Sequence, residues 1–544
     1  MSKRQFITGA IVLSVSGIFV KIMGFAFRIP LGRMIGSGGM GDYSPAYDVY
    51  AFILVIATAG IPVAISKLVA ESCAVGRYNE AEKVFRVSQR IMVTIGVIGF
   101  LILFFGSDII ATIFHMKSSA LAIKAIAPTL LFAPIMSSYR GYFQGLQNMN
   151  PTSVSQIVEQ FFRVGCGLSL SYLLYTGAVF KSEGGNLPID IAQARGAAGA
   201  CLGAAIGAIF GLTAIMIMYK KERKTILAMQ GVEHSTCQEP TKKIIKRIIV
   251  FALPITIAAC IMPIINLADV TIVMRRLTQA GFDYTTAKEM FGELTGFAAP
   301  IIGLPQILIQ AIVVGLVPFI AEANKKKDSV SLRSNTVLGF RTAIIVAMPC
   351  SLGLLVLADP ILTLFFGDQV DNAIPCLQIY SFSFIFLSLT NVSTAILQGI
   401  GKQNIPLINL LIGLSFKVAI TFVLAGIVSI NVKGAAIGTA AAYFVAASLD
   451  ILALKRERHM NIELLRIICK PLLVSIIMAI TVRALYQTLI HFTGDILPAT
   501  LISIFVGAMF YGIIVIKARI ITADEIRLIP MIEKITKVFK IIGQ

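Results

Sequence analysis

Residues 139–164 read YRGYFQGLQNMNPTSVSQIVEQFFRV, and residues 395–418 read AILQGIGKQNIPLINLLIGLSFKV. Each copy contains an apolar helix, a short break rich in Gly, Asn and Pro, and a second apolar helix with a basic residue well inside it. The basic residues are Arg163 and Lys417, which are 254 residues apart. The Gln-Gly pairs of the two copies, at 144–145 and 398–399, are separated by the same 254 residues. An ionisable group in a bilayer is costly and usually faces a partner or a water-filled cavity. The pattern therefore predicts two related halves, each with a cation inside the membrane.

The composition is that of an all-α polytopic membrane protein. The 544 residues are 57% hydrophobic and 14% charged, with a mean hydropathy of +0.85. Apolar runs recur near the ~20 residues that a helix needs to cross a bilayer. Hydropathy and breaks predict about fourteen transmembrane helices. The predicted spans are 6–28, 47–69, 91–114, 122–144, 152–178, 196–219, 248–273, 296–320, 339–365, 374–398, 405–429, 434–454, 470–490 and 496–516.

The net charge of +19 is explained by orientation rather than by nucleic acid. Most Lys and Arg residues fall in the predicted loops 67–90, 220–247, 325–341 and 455–470 and in the tails. Cytoplasmic loops carry such an excess, and basic residues there contact anionic membrane lipids. An even number of spans then predicts a cell-membrane protein with both termini in the cytoplasm. The eight scattered cysteines include no CxxC pair, so they indicate no metal site.

The internal repeat extends beyond the opening stretch. Arg90 matches Arg341, and the Asp-led apolar segments that follow them match at the same spacing. Spans one to six thus correspond to spans seven to twelve, with two further spans added. We expect an N-lobe at 1–224, a C-lobe at 225–458, and spans thirteen and fourteen with an amphipathic cytoplasmic tail at 459–544. Six is even, so the pseudo-twofold axis should lie along the membrane normal, with binding between the halves.

The matched basic residues are the first candidates for a binding site. Arg163 and Lys417 lie at similar depth, where Arg and Lys could hold an anionic headgroup such as a pyrophosphate. The alternative for Arg163 is a structural ion pair with Glu159, which lies four residues earlier on the same helical face. Lys417 has no carboxylate within a helical turn, which favours a position on a cavity.

Other charged residues fall inside predicted spans. Lys21 and Arg28 lie in span one, where Pro30 permits a bent helix suited to a gate; Arg28 could instead reach the outer headgroups. Asp269 in span seven has no basic residue within a turn, and is interpreted as a proton or cation site, or else as a protonated acid bonded to a neighbour. Arg483 in span thirteen could contact a lipid phosphate or bridge to another helix; the sequence leaves both open.

Two further patterns concern packing and membrane contact. Gly203, Gly207 and Gly211 form a ladder of small residues that predicts close helix packing. The segment 523–542 is amphipathic with three lysines and is predicted to lie on the inner leaflet. No P-loop, GxSxG or HExxH motif occurs, so the sequence favours a transporter over an enzyme and names no catalytic residue and no bound cofactor.

The chain resembles the polysaccharide-transporter branch of the multidrug/oligosaccharidyl-lipid/polysaccharide (MOP) exporter superfamily, near the Firmicute SpoVB and MurJ-type lipid II flippases. The resemblance rests on AGIPVAISKLVAE (59–71), on RGYFQGLQNMNPTSVSQIVEQFFRV (140–164), on the repeated six-span halves and on the two extra spans. It covers essentially the whole chain. It implies a V-shaped bundle of two lobes with a central cationic cavity, and in the MurJ type a groove for the lipid tail formed by the last two spans.

The resemblance also carries residue roles. The segment Lys21–Ala26 matches the family pattern Arg-x-x-Gly-Phe with Lys for Arg, and basic residues of this span are functional in the family. The segment Ile265–Asp269 resembles the part of span seven that can hold a sodium-binding Asp. Two features depart from the family pattern: span eight contains no Arg, and Arg28 is one place out of register.

Taken with the buried cations, this resemblance implies a monomeric flippase for an undecaprenyl-pyrophosphate-linked precursor of the cell wall, with lipid II as the first candidate. Such a flippase would move its cargo from the inner to the outer leaflet by alternating access. Such activity serves peptidoglycan synthesis and cell shape. The alternatives are another lipid-linked polysaccharide unit, for a spore cortex or capsule, a cation-coupled multidrug exporter, and a non-transporting scaffold. Coupling to Na⁺ or H⁺ is assigned to Asp269. The substrate-binding residues are predicted to be Lys21, Arg28, Arg163 and Lys417.

Overall fold

The computed structural model describes residues 3–183, 188–230, 239–458 and 464–518, and these are almost entirely α-helical. They form two compact units, Met1–Gly296 and Phe297–Gln544. The predicted amphipathic tail at 523–542 lies outside the described residues. The first unit extends beyond the predicted N-lobe and includes the helix that holds predicted span seven, so the lobe boundary at 224 stays a prediction.

The first unit is built mainly from long apolar helices. They are α1 (Lys3–Thr58), α2 (Gly60–Ala74), α3 (Tyr78–Ile113), α4 (Ala120–Ile126), α5 (Thr129–Gly145), α6 (Asn150–Glu183), α7 (Ile189–Gln230), α8 (Thr241–Gln279) and α9 (Tyr284–Gly292). A 3₁₀ turn, Lys117–Ser119, precedes α4, and a π-helical turn, Glu293–Ala298, follows α9.

A kink divides α1 into two limbs. The first carries predicted span one, and the second carries the first part of predicted span two, which continues in α2. Gly36 has φ 69° and ψ −176°, whereas the rest of the helix, including Pro30 and Pro45, keeps helical geometry. A positive φ has no Cβ penalty at glycine, so the chain turns there at low cost. The break that the sequence places near Pro30 therefore occurs six residues later.

The second unit continues the same construction. Its helices in the described residues are α10 (Ala299–Lys325), α11 (Ser329–Val356), α12 (Ala358–Phe366), α13 (Ala373–Gly399), α14 (Asn404–Leu424), α15 (Lys433–Arg458), α16 (Leu464–Thr493) and α17 (Ile496–Lys517). Tyr511 on α17 donates a hydrogen bond to the Ile345 carbonyl on α11 at 2.8 Å, which ties one of the two added C-terminal spans to the unit.

The internal repeat is visible as one local packing relationship that occurs in both units. A Cβ placed on Gly203 of α7 would lie 2.9 Å from the carbonyl oxygen of Arg163 on α6. A Cβ placed on Gly438 of α15 would lie 2.9 Å from the carbonyl oxygen of Lys417 on α14. In each unit a glycine lets the next helix approach the backbone of the buried basic residue, as small residues do in membrane bundles.

The all-helical, polytopic fold is confirmed, although the number of spans is counted differently. In the described residues 11 helices are long and apolar enough to cross a membrane, or 12 if the bent pair Lys117–Ile126 and Thr129–Gly145 is one span. Each of the fourteen predicted spans overlaps a helix. The count differs because Val15–Ala74 forms one candidate across the Gly36 kink, and because α6 is not among the candidates.

Candidate functional site

A cavity of about 270 Å³ in the first unit brings two of the predicted binding residues together. It lies between the two limbs of α1 and the middle of α6. Arg28 and Arg163 supply two guanidinium groups, and the described lining contains no carboxylate. The lining residues are Val20, Gly24, Phe27, Arg28, Tyr43, Tyr47, Gln160 and Arg163.

Arg163 is held by aromatic rings. Its Cζ lies 4.9 Å from the ring centroid of Tyr47, a cation–π distance, and Nη2 lies 3.5 Å from the hydroxyl of Tyr43, at the long limit of a hydrogen bond. Tyr43 is buried, and its ring stacks on that of Tyr47 with centroids 6.0 Å apart. The rings fix the guanidinium without neutralising its charge, so it can still pair with an anion.

Glu159 pairs with a different arginine from the one considered in the sequence. Its Oε2 accepts a hydrogen bond from Arg140 Nη2 at 2.9 Å, and Arg140 Nε donates to the Ser155 hydroxyl at 2.9 Å. In the part of the chain that the structure describes, Arg163 forms no ion pair. The structural alternative for Arg163, an ion pair with Glu159, is therefore wrong.

Arg28 is anchored by a backbone carbonyl. Its Nη1 donates a hydrogen bond to the Thr295 carbonyl at 3.2 Å. Thr295 belongs to the π-helical turn Glu293–Ala298, and such widened turns recur at functional sites. Arg28 is half-buried and lines the cavity, which does not fit a side chain that merely reaches the outer headgroups.

The remaining candidates lie apart from this cavity lining. In the first unit, Lys21 is exposed on α1 and Asp269 is half-buried on α8. In the second unit, Lys417 is 7% exposed on α14. Arg483 on α16 is exposed, and its Nη1 donates to the Val356 carbonyl at 3.4 Å. This contact is a bridge to another helix, one of its two interpretations, and contact with a lipid phosphate stays a prediction.

The sequence interpretation missed the aromatic and amide side of the cavity. Tyr43, Tyr47 and Tyr50 recur at helical spacing, and their rings contact one another in succession. That periodicity was the available signal, since it places the tyrosines on one face of α1. Gln160 gave no signal of its own, although it is buried and lines the cavity three residues before Arg163.

A second missed feature is a charge cluster next to the cavity, in which Asp42 and Lys288 are buried. Lys288 Nζ lies 2.9 Å from Asp190 Oδ1 and 3.6 Å from Asp42 Oδ2. The Ser118 hydroxyl donates to Asp42 and lies 2.9 Å from the Tyr284 hydroxyl. The cluster joins α1, α7, α9 and the turn before α4. Because Asp42 directly precedes Tyr43, the cluster also fixes one wall of the cavity.

Comparison with known families identifies the chain. The sequence profile of the family described as polysaccharide biosynthesis protein matches residues 6–324, more than half of the chain. The profile described as MatE matches residues 293–423. Lipid II flippase MurJ of Bacillus subtilis (strain 168) is 28% identical over 492 residues, 88% of this chain and 88% of that protein. Stage V sporulation protein B of the same organism is 27% identical over 536 residues, 98% and 99% of the two chains.

Solved structures support the same fold. Lipid II flippase MurJ in an inward closed conformation matches with a TM-score of 0.66 at 16% identity, over 94% of this chain and 99% of that one. An inward-facing multidrug resistance MATE family transporter of the MOP superfamily matches with a TM-score of 0.62 at 14% identity, over 83% and 98%. The predicted family, fold class and transporter role are confirmed. The chain belongs to the polysaccharide biosynthesis protein family, and it shares its fold with the lipid II flippase MurJ and with a MATE family transporter.

Proposed function

We propose that this protein is a flippase that moves an undecaprenyl-pyrophosphate-linked cell-wall precursor from the inner to the outer leaflet by alternating access. Lipid II is the first candidate for this precursor. The observation that carries the proposal is the cationic cavity, whose described lining holds Arg28 and Arg163 and no carboxylate. A diphosphate is the anion that two guanidinium groups suit, because each can donate paired hydrogen bonds to phosphate oxygens. The similarity to the flippase and sporulation proteins supports a lipid-linked cargo.

The other lining residues suit the sugar next to a diphosphate. Gln160 has an amide that can donate to and accept from sugar hydroxyls, and Tyr43 and Tyr47 offer hydroxyls and ring faces. Small-molecule pockets typically span about 300–1,000 Å³. At about 270 Å³ the cavity holds the diphosphate and its adjoining atoms, with the rest of the cargo outside it.

Lys21 and Lys417 are predicted to contribute to headgroup binding as well. Lys21 lies seven residues before Arg28 on α1, and residues at this spacing share a helical face. It would receive the headgroup at the edge of the cavity. Lys417 is buried at a depth of α14 that matches Arg163 of α6, with the same glycine approach at its carbonyl. It would supply the corresponding cation of the second half.

Asp269 is proposed as the coupling residue. It is half-buried in the apolar helix α8, where one carboxylate can hold a proton or take part in binding a monovalent cation. Replacement by Asn should leave headgroup binding intact but remove the response of flipping to an imposed Na⁺ or pH gradient. Flipping by the variant that still follows either gradient would exclude Asp269 from coupling.

The test of the function is a flipping assay with a panel of cargoes. Purified protein in vesicles should speed the transfer of labelled lipid II over protein-free vesicles, and a cationic dye should not be transported. Accumulation of lipid II on the inner leaflet after depletion of the protein should agree with this. Dye transport without flipping of any polyprenyl-linked precursor would overturn the proposal and favour a multidrug exporter, the function suggested by the MatE match at 293–423.

The same panel separates cargoes within the flippase class. Similarity to stage V sporulation protein B over 98% of this chain supports a second candidate, a lipid-linked unit used in a spore cortex or a capsule. A cavity that recognises the diphosphate would accept both, so the sugar must be tested directly. Preference for a different undecaprenyl-linked unit over lipid II would keep the mechanism and change the cargo. A scaffold would flip none of them.

A further inference from the structure

A second and larger cavity lies in the first unit, away from the residues assigned to the cargo. It has a volume of about 580 Å³ and opens between α3, α4, α6 and α7. Its walls are mainly apolar, and Leu121, Leu173 and Leu174 are 46%, 62% and 37% exposed along it. All four helices belong to candidate spans or to the span predicted on α6, so the groove faces the bilayer region. Its chemistry suits an acyl chain.

Two cations stand in this apolar groove. Lys124 on α4 lies with its ammonium 4.9 Å from the ring centroid of Phe104, and Arg195 on α7 is half-buried. Neither forms an ion pair within residues 3–183, 188–230, 239–458 and 464–518. Cations inside membrane-spanning helices usually pair with a carboxylate or reach a headgroup. The described residues supply no anion to these two cations, so we expect their partner to be the phosphate of a membrane lipid.

The two cations also lie at the same level. Lys124 is seven residues into the segment that begins at Lys117, and Arg195 is six residues into α7. Predicted spans four and six enter the membrane from the same side, at residues 122 and 196, so both cations lie near that membrane surface. This is the depth at which long basic side chains can reach a lipid phosphate while a chain lies in the groove below.

We propose that this groove binds one anionic glycerophospholipid of the bilayer. Its phosphodiester is held by Lys124 and Arg195, and one acyl chain lies along Leu173 and Leu174. Two adjacent cations repel the positive end of a zwitterionic headgroup, so the site selects lipids with net negative charge. The site is separate from the diphosphate cavity, because no residue lines both.

The test measures lipid binding rather than transport. Protein purified in detergent is titrated with phosphatidylglycerol, with phosphatidylcholine and with glycerol 3-phosphate, and bound lipid is counted by native mass spectrometry. Of these three compounds, we expect only phosphatidylglycerol to bind tightly. Lys124→Gln/Arg195→Gln should weaken it at least roughly tenfold, because two charge-assisted hydrogen bonds are lost. Lys124→Arg/Arg195→Lys should keep it.

Matched variants separate this site from general charge effects. Lys117→Gln/Arg275→Gln removes the same charge from exposed positions outside the groove, and should leave affinity unchanged. Gly177→Phe fills the groove without altering its charge, and a Cβ there meets nothing within 4 Å. In protein with a wild-type unfolding midpoint, lipid affinity should fall. Equal affinity in wild type and the Lys124/Arg195 variant, or equal binding of phosphatidylcholine, would overturn the proposal. Binding of glycerol 3-phosphate as tight as that of the lipid would overturn the role of the acyl chain.

Discussion

Asp42 and Lys288 form an ion pair in the first unit whose side chains are 0% and 1% exposed, with Oδ2 and Nζ 3.6 Å apart. Asp42 is on the second limb of α1 and Lys288 is on α9. Glycines bring these helices together, since a Cβ on Gly41 would lie 2.8 Å from the Cγ of Lys288. Buried charges are costly unless paired, so this contact constrains how α1 and α9 pack, and with them Tyr43 of the cavity.

Replacement of Lys288 by Met should therefore destabilise the protein severely. It leaves Asp42 buried without its cation, and removal of one partner of a buried pair typically costs about 3–5 kcal/mol in the free energy of unfolding. The measurement is the unfolding midpoint in detergent. The double variant Asp42→Asn/Lys288→Met should recover a substantial part of the loss, because the buried Asp42 is then neutral, while Asp190, the other partner of Lys288, is 41% exposed and can be hydrated. A double variant as unstable as Lys288→Met alone would show that packing, not the pair, sets the stability.

Arg163→Gln should slow the flipping of a diphosphate-linked cargo at least roughly tenfold, since each charge-assisted hydrogen bond contributes about 1.5–3 kcal/mol. Arg163→Lys should retain part of the rate because it keeps the charge but loses the paired geometry. The matched control is Glu159→Gln, because Glu159 pairs with Arg140 instead. The rate is measured in vesicles at subsaturating cargo. Wild-type flipping by Arg163→Gln, in protein of normal stability, would remove Arg163 from the binding site.

An ion network holds the beginning of α8 against α2. Arg247 bridges Glu71 at 2.8 Å and Glu239 at 3.1 Å, and Lys243 lies 2.9 Å from Glu239. The Lys243 ammonium, and then Arg247, lower the pKa of Glu239 below its ordinary value of 4.5. A lowered pKa stabilises the folded state above the ordinary value, and this contribution is lost as the pH falls through the folded pKa.

The first turns of α8 should therefore open more readily below about pH 4.5. The measurement is hydrogen exchange of these amides, corrected for the intrinsic exchange rate at each pH. Arg247→Gln should reduce their protection at neutral pH and weaken the pH response. Arg275→Gln, at the other end of α8, should change neither. Equal protection of the wild type and Arg247→Gln at both pH values would show that the network contributes nothing to local stability.

The periodic and local features of this chain could be predicted from its sequence. Apolar runs near the length of a span located the helices, and the matched positions of Arg163 and Lys417 located the repeat, because both signals are contained in short segments. The break in α1 is at Gly36 and not, as predicted, near Pro30. A proline can stay inside a transmembrane helix, whereas a glycine can take the positive φ that turns the chain.

Long-range partners could not be predicted in the same way. Glu159 and Arg163 share a helical face, yet the carboxylate pairs with Arg140, 19 residues away and across a turn. Lys288 pairs with Asp190, 98 residues earlier. Such choices depend on how helices cross, and hydropathy carries no information about crossing. A single sequence therefore locates a buried charge much better than it identifies the partner.

The glycines behind the two basic residues give a matched test of the repeat. Gly203→Ala should force α7 away from α6, because the added Cβ would clash with the Gly167 backbone and lie 2.9 Å from the Arg163 carbonyl. Gly438→Ala should force α15 away from α14, because its Cβ would clash with the Thr421 hydroxyl and lie 2.9 Å from the Lys417 carbonyl. Overpacking of this kind typically costs about 1–3 kcal/mol, measured as a fall in the unfolding midpoint. Gly165→Ala is the control, since a Cβ there meets nothing within 4 Å. If Gly203→Ala and Gly438→Ala are both as stable as this control, close approach is not what the two halves share.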